Sequence, residues 1–270
     1  MSKDAKLLRF YSILAGLIFL TALLAPFILT QDPYESSMQQ AFLPPSAEHW
    51  CGTDKLGRDL FTRVIYGARI SVFMSLTVVI LIAGIGSAIG VVAGYVGGKV
   101  DTIIMRLADM FLAFPGIVLA IAIAGMMGGS VVNAILALVA VGWTKYARLA
   151  RSMTLKVRQQ DYIAAAVTNG TRPVQMFFRH IAPNILSIIL VTAAVDIGAM
   201  MMELAGLSFL GFGAQPPTPE WGLMLNEGRQ ALQTAPWLML FPGAAIVLVV
   251  AVFNLWGDAL RDWLDPNKAS

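Results

Sequence analysis

MFLAFPGIVLAIAIAGMMGGSVVNAILALVAVGWT, residues 110–144, carries no charged side chain over its whole length. As one α-helix it would be roughly 50 Å long, whereas the hydrocarbon core of a bilayer is about 30 Å thick. The run is therefore read as two membrane-spanning helices, divided at the GMMGGS break of residues 125–130. Each helix borrows residues from its flanks, where Arg106 and Lys145 reach toward lipid headgroups along their aliphatic stems.

The rest of the chain repeats this pattern. Of 270 residues, 57% are hydrophobic and 13% charged, about half the charged share of a soluble domain. Further apolar runs predict a first transmembrane helix over 10–30 and others over 70–95, 184–204 and 237–256. Gly84, Gly86, Gly90 and Gly94 in the second allow close helix contact. The N-terminal run exceeds a signal-peptide core of roughly 7–15 residues and lacks a small-x-small cleavage pattern, so it reads as a retained helix. The fold class expected is an all-α integral membrane protein of six transmembrane helices. The single cysteine, Cys51, leaves no disulfide framework within the chain and no Cys-based zinc site.

Lysine and arginine set the orientation. With both termini cytoplasmic, fourteen basic residues lie inside and five outside, the bias of the positive-inside rule. The segments are then a cytoplasmic N-terminus (1–9), an extracytoplasmic segment (31–69), a core of five helices (70–258) and a cytoplasmic tail (259–270). The core contains an inner loop (156–183) and an outer segment (211–236), with a short amphipathic helix expected near Trp221.

The inner loop is the most informative segment. RQQDYIAAAVTNG (158–170) followed by TRPVQMFFRHIAP (171–183) reads as a helix, a sharp turn and a second short helix. Asn169-Gly170 suits a left-handed helix stop, Thr171 and Pro173 suit the next N-terminus, and Pro183 opens the following span. The small face of Ala164, Ala165 and Ala166 lets another protein approach closely.

This loop resembles the EAA loop of ABC importer permeases, with Ala165, Ala166, Gly170 and Ile181-Ala-Pro183 matching and Ala164 standing where the family usually has Glu. Cys51-Gly-Thr-Asp-Lys-Leu-Gly-Arg-Asp59 with Arg63 resembles the outer signature of the dipeptide/oligopeptide/nickel permeases. Leu207-Ser-Phe-Leu-Gly-Phe-Gly213, Gln215-Pro-Pro-Thr-Pro219, Trp221-Gly222, Asn254-Leu-Trp-Gly-Asp258 and Leu264-Asp-Pro266 are similar to later segments of that family. Asp196-Ile-Gly-Ala-Met-Met-Met202 looks most like the nickel C-type subunit.

The resemblance implies a type I ABC importer permease fold in a prokaryotic inner (plasma) membrane. It implies half of a translocation pathway for nickel or a nickel chelate, with a dipeptide or oligopeptide as the alternative cargo. The partners implied are a homologous second permease subunit, two ATPase subunits or domains, and an extracytoplasmic substrate-binding protein. ATP and Mg belong to the ATPase partners, and no cofactor is expected on this chain. The loop residues implied in ATPase coupling are Asp161, Tyr162, Ala164, Ala165, Ala166, Gly170, Arg172 and Arg179. The rival class is a secondary transporter or channel, which would need its own ion-coupling groups and often shows paired repeats; no repeat is visible.

Asp196 and Glu203 stand two helical turns apart with Met200 on the same face. Ionisable groups inside a span tend to face an interior or a wet cavity, so these three are candidates for lining the path. The alternative is that the carboxylates pair with helix-end donors or lie near the outer mouth. The remaining methionines, including Met126 and Met127, read as packing. With only His49 and His180 in the chain, no metal site is expected. Arg106 and Asp109 suit an i,i+3 ion pair. No phosphate-binding G-x-x-x-x-G-K-[ST], no H-E-x-x-H and no G-x-S-x-G is present, so the chain is not expected to be an enzyme. The basic loop lacks the spaced aromatics of a nucleic-acid platform.

Overall fold

The computed structural model describes residues 3–264. The outermost parts of the two expected cytoplasmic ends, including Asp265, Pro266 and Lys268, lie outside the described residues. Within them every regular element is helical, apart from one isolated bridge between Thr53 and Asp59. The long helices are α1 (Lys3–Ile28), α2 (Leu60–Val96), α3 (Gly98–Leu112), α4 (Gly116–Met127), α5 (Val131–Arg158), α8 (Ala182–Phe209) and α10 (Trp237–Leu264). The short ones are α6 (Asp161–Thr168), α7 (Pro173–Met176) and α9 (Trp221–Gly228).

Four segments are long and apolar enough to cross a membrane: Ala5–Ile28, Leu60–Val96, Phe177–Phe209 and Trp237–Leu264. The α3–α4 pair makes a fifth when taken as one span, and it is bent by 89°. The bend lies at Ala113-Phe114-Pro115, inside the run that hydropathy reads as continuous. Pro115 has no N–H to donate and pushes Phe114 away from helical dihedrals. The expected division at 125–130 is also present, with Gly128 at φ +86° between α4 and α5. α5 is 28 residues long, but its second half carries Lys145, Arg148, Arg151, Lys156 and Arg158. Lys156 and Arg158 fall within the expected inner loop (156–183), yet all five are helical. α2 likewise begins at Leu60, ten residues before the expected Ile70, because Asp59 caps it by accepting from the Thr62 N–H at 2.7 Å.

Packing follows the membrane pattern of small residues inside and large ones outside. α1 buries Ala15, Ala22 and Ala25 and exposes Leu17, Leu20, Leu23 and Phe27. It is held to α10 by the Phe19–Phe253 edge contact, 5.5 Å between centroids, and by the Trp256 Nε1–Ser12 Oγ hydrogen bond of 3.0 Å.

The closest helix pair is α2 and α5. A Cβ on Gly86 would lie 2.4 Å from the Trp143 carbonyl oxygen, one on Gly90 2.1 Å from that of Ala147, and one on Gly94 2.9 Å from that of Arg151. Both numberings step by four in the same direction, so the two helices run parallel and touch backbone to backbone. Gly84, read with these three, has nothing within 4 Å and takes no part.

At one end of the bundle, residues 31–59 and 211–236 fold into a cap. Arg58 and Arg63 are almost wholly buried there, at 2% and 1% exposure. Arg58 Nε donates to Asp54 at 2.6 Å, and its Nη2 lies 3.4 Å from Glu227. Arg63 Nη2 donates to Glu227 at 3.3 Å, while its Nη1 reaches the carbonyls of Pro33 (3.1 Å) and Pro217 (3.3 Å). Lys55 completes the cluster from the surface, 3.5 Å from Glu227. Gly57, at φ +71°, leaves no room for a side chain, since a Cβ would sit 1.8 Å from the Ser37 carbonyl oxygen. Glu220 caps α9, accepting from the N–H groups of Gly222 (2.9 Å) and Leu223 (2.8 Å). Its burial pushes the carboxyl above the ordinary range, against the pull of those donors.

Candidate functional site

The loop between α5 and α8 sits at the end of the bundle opposite the cap. α6 starts three residues after α5 ends, with the Gln160 N–H donating to the Val157 carbonyl at 3.1 Å. It is terminated as its sequence foretells. Gly170 takes φ +75°, and the Thr171 N–H donates to the Ala166 carbonyl at 3.1 Å, the six-to-one bond of a Schellman stop. α7 then passes through a π-turn (Phe177–Ile181) directly into α8.

Three apolar residues anchor this loop in the core: Ile163, Met176 and Ile181 are all buried. Helical spacing turns the other face outward. Asp161, Tyr162, Ala164, Ala165, Gly170, Arg172 and Arg179 are exposed, and Ala166 is half-buried. Tyr162 is steadied by Asn184, whose Nδ2 donates to the tyrosine hydroxyl (3.2 Å) and to the His180 carbonyl (2.6 Å). Nothing lies within 4 Å of a Cβ built on Gly170. The result is a short, smooth helix of small residues, rooted by large ones and facing away from the bundle.

The second cluster lies halfway along the helices. Asp196 on α8 is buried, and both its oxygens accept from Lys145 Nζ on α5, at 2.7 and 2.8 Å. The Tyr146 hydroxyl donates to the same carboxylate at 2.9 Å. Lys145 is roughly 20 Å from the start of α5 at 1.5 Å per residue, so the pair sits deep in the bundle. The two partners differ in exposure: the Lys145 side chain is 57% exposed and that of Asp196 only 8%. Met200, one turn on, is buried. Glu203, two turns on, is half-buried and makes no hydrogen bond or ion pair among the described residues, although it lies within electrostatic reach of Asp196 and Lys145. Asp196, Met200 and Glu203 thus share α8, and Lys145 and Tyr146 join them from α5. The sequence reading missed these two because it placed Lys145 at the edge of a span. A lysine in register with an acidic residue on another apolar helix was the available signal.

Three other α5 cations also have partners. Arg148 Nη2 donates to Asp109 at 2.6 Å, so Asp109 pairs across to α5 rather than with Arg106 on its own helix. Arg151 pairs with Asp101. Arg158 donates to the carbonyls of Gly94 and Tyr95, at 3.0 and 2.7 Å, closing the end of α2.

Among the described residues no group of three or more His, Cys, Asp or Glu side chains is placed to hold a metal ion. His49 is taken up by Asp59 at 2.9 Å. Cys51 is buried, and that burial, with the Asp59 carboxylate nearby, pushes its thiol up to about 11.

Comparison with known proteins matches this architecture. Residues 86–270 match the family model of the binding-protein-dependent transport system inner membrane component. The dipeptide transport system permease protein DppC of Alkalihalophilus pseudofirmus is 44% identical over 262 residues, covering 95% of this chain and 86% of that one. The nickel transport system permease protein NikC of Escherichia coli K12 is 41% identical over 259 residues, covering 96% and 94%. These relatives extend the match to α1 and the first part of the cap, which the family model leaves out. A chain of the MetNI methionine ABC transporter, solved in inward-facing conformations, shares the fold with a TM-score of 0.55 at 18% identity, covering 73% of this chain and 95% of that one. The chain belongs to the family of binding-protein-dependent inner membrane transport components, and is a multi-pass permease subunit of an ABC importer.

Proposed function

We propose that this chain forms one half of a translocation pathway and couples it to ATP hydrolysis through the loop spanning α6 and α7. The observation that carries this reading is the outward face of Asp161, Tyr162, Ala164, Ala165 and Gly170 on the buried roots Ile163, Met176 and Ile181. A helix of small exposed residues ends in a stop that only a residue free to adopt positive φ takes without strain. It is a shape for seating in another protein's groove, and ATPase subunits supply that groove. Ala164 leaves the contact to shape, without the carboxylate usual in the family.

The topology that fits is six spans: α1, α2, the bent α3–α4 pair, α5, the continuous segment from Phe177 through α8, and α10. The cap then lies outside, where it meets a binding protein, and both termini lie inside. A homologous permease supplies the other half of the path. ATP binding and hydrolysis by the partners move the loop as a rigid body, switching access between the two sides.

The cargo proposed is either a nickel species, nickel or a nickel chelate, or a short peptide. The similarity to relatives named for dipeptide and for nickel is nearly even, so charge geometry has to separate the two. The test is uptake of radioactive nickel against a labelled dipeptide by the assembled importer, with and without this subunit. For coupling, Gly170→Leu is expected to leave the complex assembled and hydrolysing ATP while cargo uptake falls at least tenfold. Normal coupling in that variant would remove Gly170 from the mechanism.

A further inference from the structure

The mid-bundle cluster presents an asymmetry. Of the ion pair, the cation is the exposed member and the anion the buried one. Lys145 has three N–H donors and two are directed to Asp196, so one remains without an acceptor among the described residues. Both oxygens of Asp196 already accept, from Lys145 and Tyr146. Glu203, nearer the cap on the same helix, has an unpaired carboxylate. Two opposite charges with unused hydrogen-bonding capacity therefore stand about 10 Å apart along α8. Neither can face hydrocarbon at this depth without large cost, so both face the wet path or the second permease.

We propose that Lys145 and Glu203 form a two-point track for a short zwitterionic peptide, Lys145 receiving its carboxylate and Glu203 its ammonium. An extended chain advances about 3.5 Å per residue, so a di- or tripeptide spans the gap once the two side chains reach toward it. Because Glu203 is nearer the cap, the peptide travels carboxylate first. Tyr146 and Asp196 act as positioning residues, holding the ammonium of Lys145 at a fixed height on the wall. A bare divalent cation is poorly served by the same wall, since beyond Glu203 it meets the exposed ammonium. This inference rests on the permease reading above and selects the peptide branch of its cargo.

The test uses the whole importer, with its partner subunits, reconstituted in vesicles and supplied with labelled dipeptide or radioactive nickel. Lys145→Met combined with Asp196→Asn removes the charge and leaves no buried ion unpaired. The assembled double variant is expected to lose dipeptide uptake at least tenfold, Glu203→Gln to lose it several-fold, and Lys145→Arg to keep more than the double variant. Dipeptide uptake equal to wild type in the double variant overturns the proposal. Loss of assembly in Glu203→Gln also overturns it, because the charges then serve the contact between permeases. Wild-type uptake of nickel without dipeptide overturns it while the permease reading stands. Failure of the permease reading itself looks different, since the wild-type importer then accumulates neither cargo.

Discussion

The cap and the α6–α7 loop lie at opposite ends of the same bundle, and both depend on a glycine with positive φ. In the cap, Arg58, Arg63, Asp54 and Glu227 turn their charges inward on each other, and Gly57 is pressed against the Ser37 backbone. In the loop, Asp161, Arg172 and Arg179 face outward, and Gly170 has open space around it. The cap satisfies these four charges internally, with Lys55 at their surface edge. The loop is rooted by Ile163, Met176 and Ile181 and offers the rest of its surface. The same residue types build architecture where they meet each other and an exposed surface where they do not.

The strongest test of that contrast is Arg63→Met. It removes one of the two buried guanidiniums shared by Asp54 and Glu227, leaving Arg58 to face both carboxylates and the Pro33 and Pro217 carbonyls without their donor, and breaking such a cluster costs about 3–5 kcal/mol. The expected outcome is a large drop in the thermal midpoint of the detergent-solubilised protein and loss of the complex from membranes. Retention of wild-type stability would mean that water or a counter-ion replaces the guanidinium.

A matched pair of alanines tests the glycines. Gly57→Ala is expected to cost about 3 kcal/mol or more, since both its dihedral and the 1.8 Å approach resist a Cβ. Gly170→Ala meets only the dihedral penalty, about 1–2 kcal/mol. Equal midpoints for the two variants in thermal melts would erase the distinction.

Cys51 probes how closed the cap is. Its thiol is raised to about 11, so the thiolate is scarce at neutral pH. Alkylation by iodoacetamide is expected to stay slow from pH 7 to about pH 9, with about 1% or less of the thiol ionised, whereas an open thiol near 8.5 is mostly ionised by pH 9. Because the folded value lies above the unfolded one, this thiol's contribution to stability is present below about pH 8.5 and falls as pH rises toward 11. Rapid labelling at pH 7 would show that the cap opens.

The smallest effect is expected from Lys55→Ala. That side chain is 47% exposed and 3.5 Å from Glu227, so its loss changes stability by about 0.5 kcal/mol or less. A larger change in thermal unfolding would make Lys55 an integral member of the cluster.

The sequence reading did well where a local rule applied. Gly170 was legible because positive φ has few takers, and the division at Gly128 was legible for the same reason. The four long apolar spans, α1, α2, α8 and α10, were legible because such runs have one common explanation. What stayed hidden depended on distant partners or on direction. Lys145 ends an uncharged run, and its acceptor Asp196 is 51 residues away, so no window contains both. The turn at Pro115 changes the path of the chain without changing its hydropathy. Arg58 and Arg63 read as part of a watery outer segment because their charges balance, yet balance is what permits their burial.

The glycine contacts between α2 and α5 have a mechanical consequence. With Gly86, Gly90 and Gly94 set against the carbonyls of Trp143, Ala147 and Arg151, no layer of side chains separates the two helices to let them slide. They behave as one beam. One end of that beam begins at Asp59 in the cap, and the other continues through Arg158 into α6. Lys145 is mounted between them on the same member. A displacement applied at the foot of α5 is therefore expected to reach the cap and to shift Lys145 on the way.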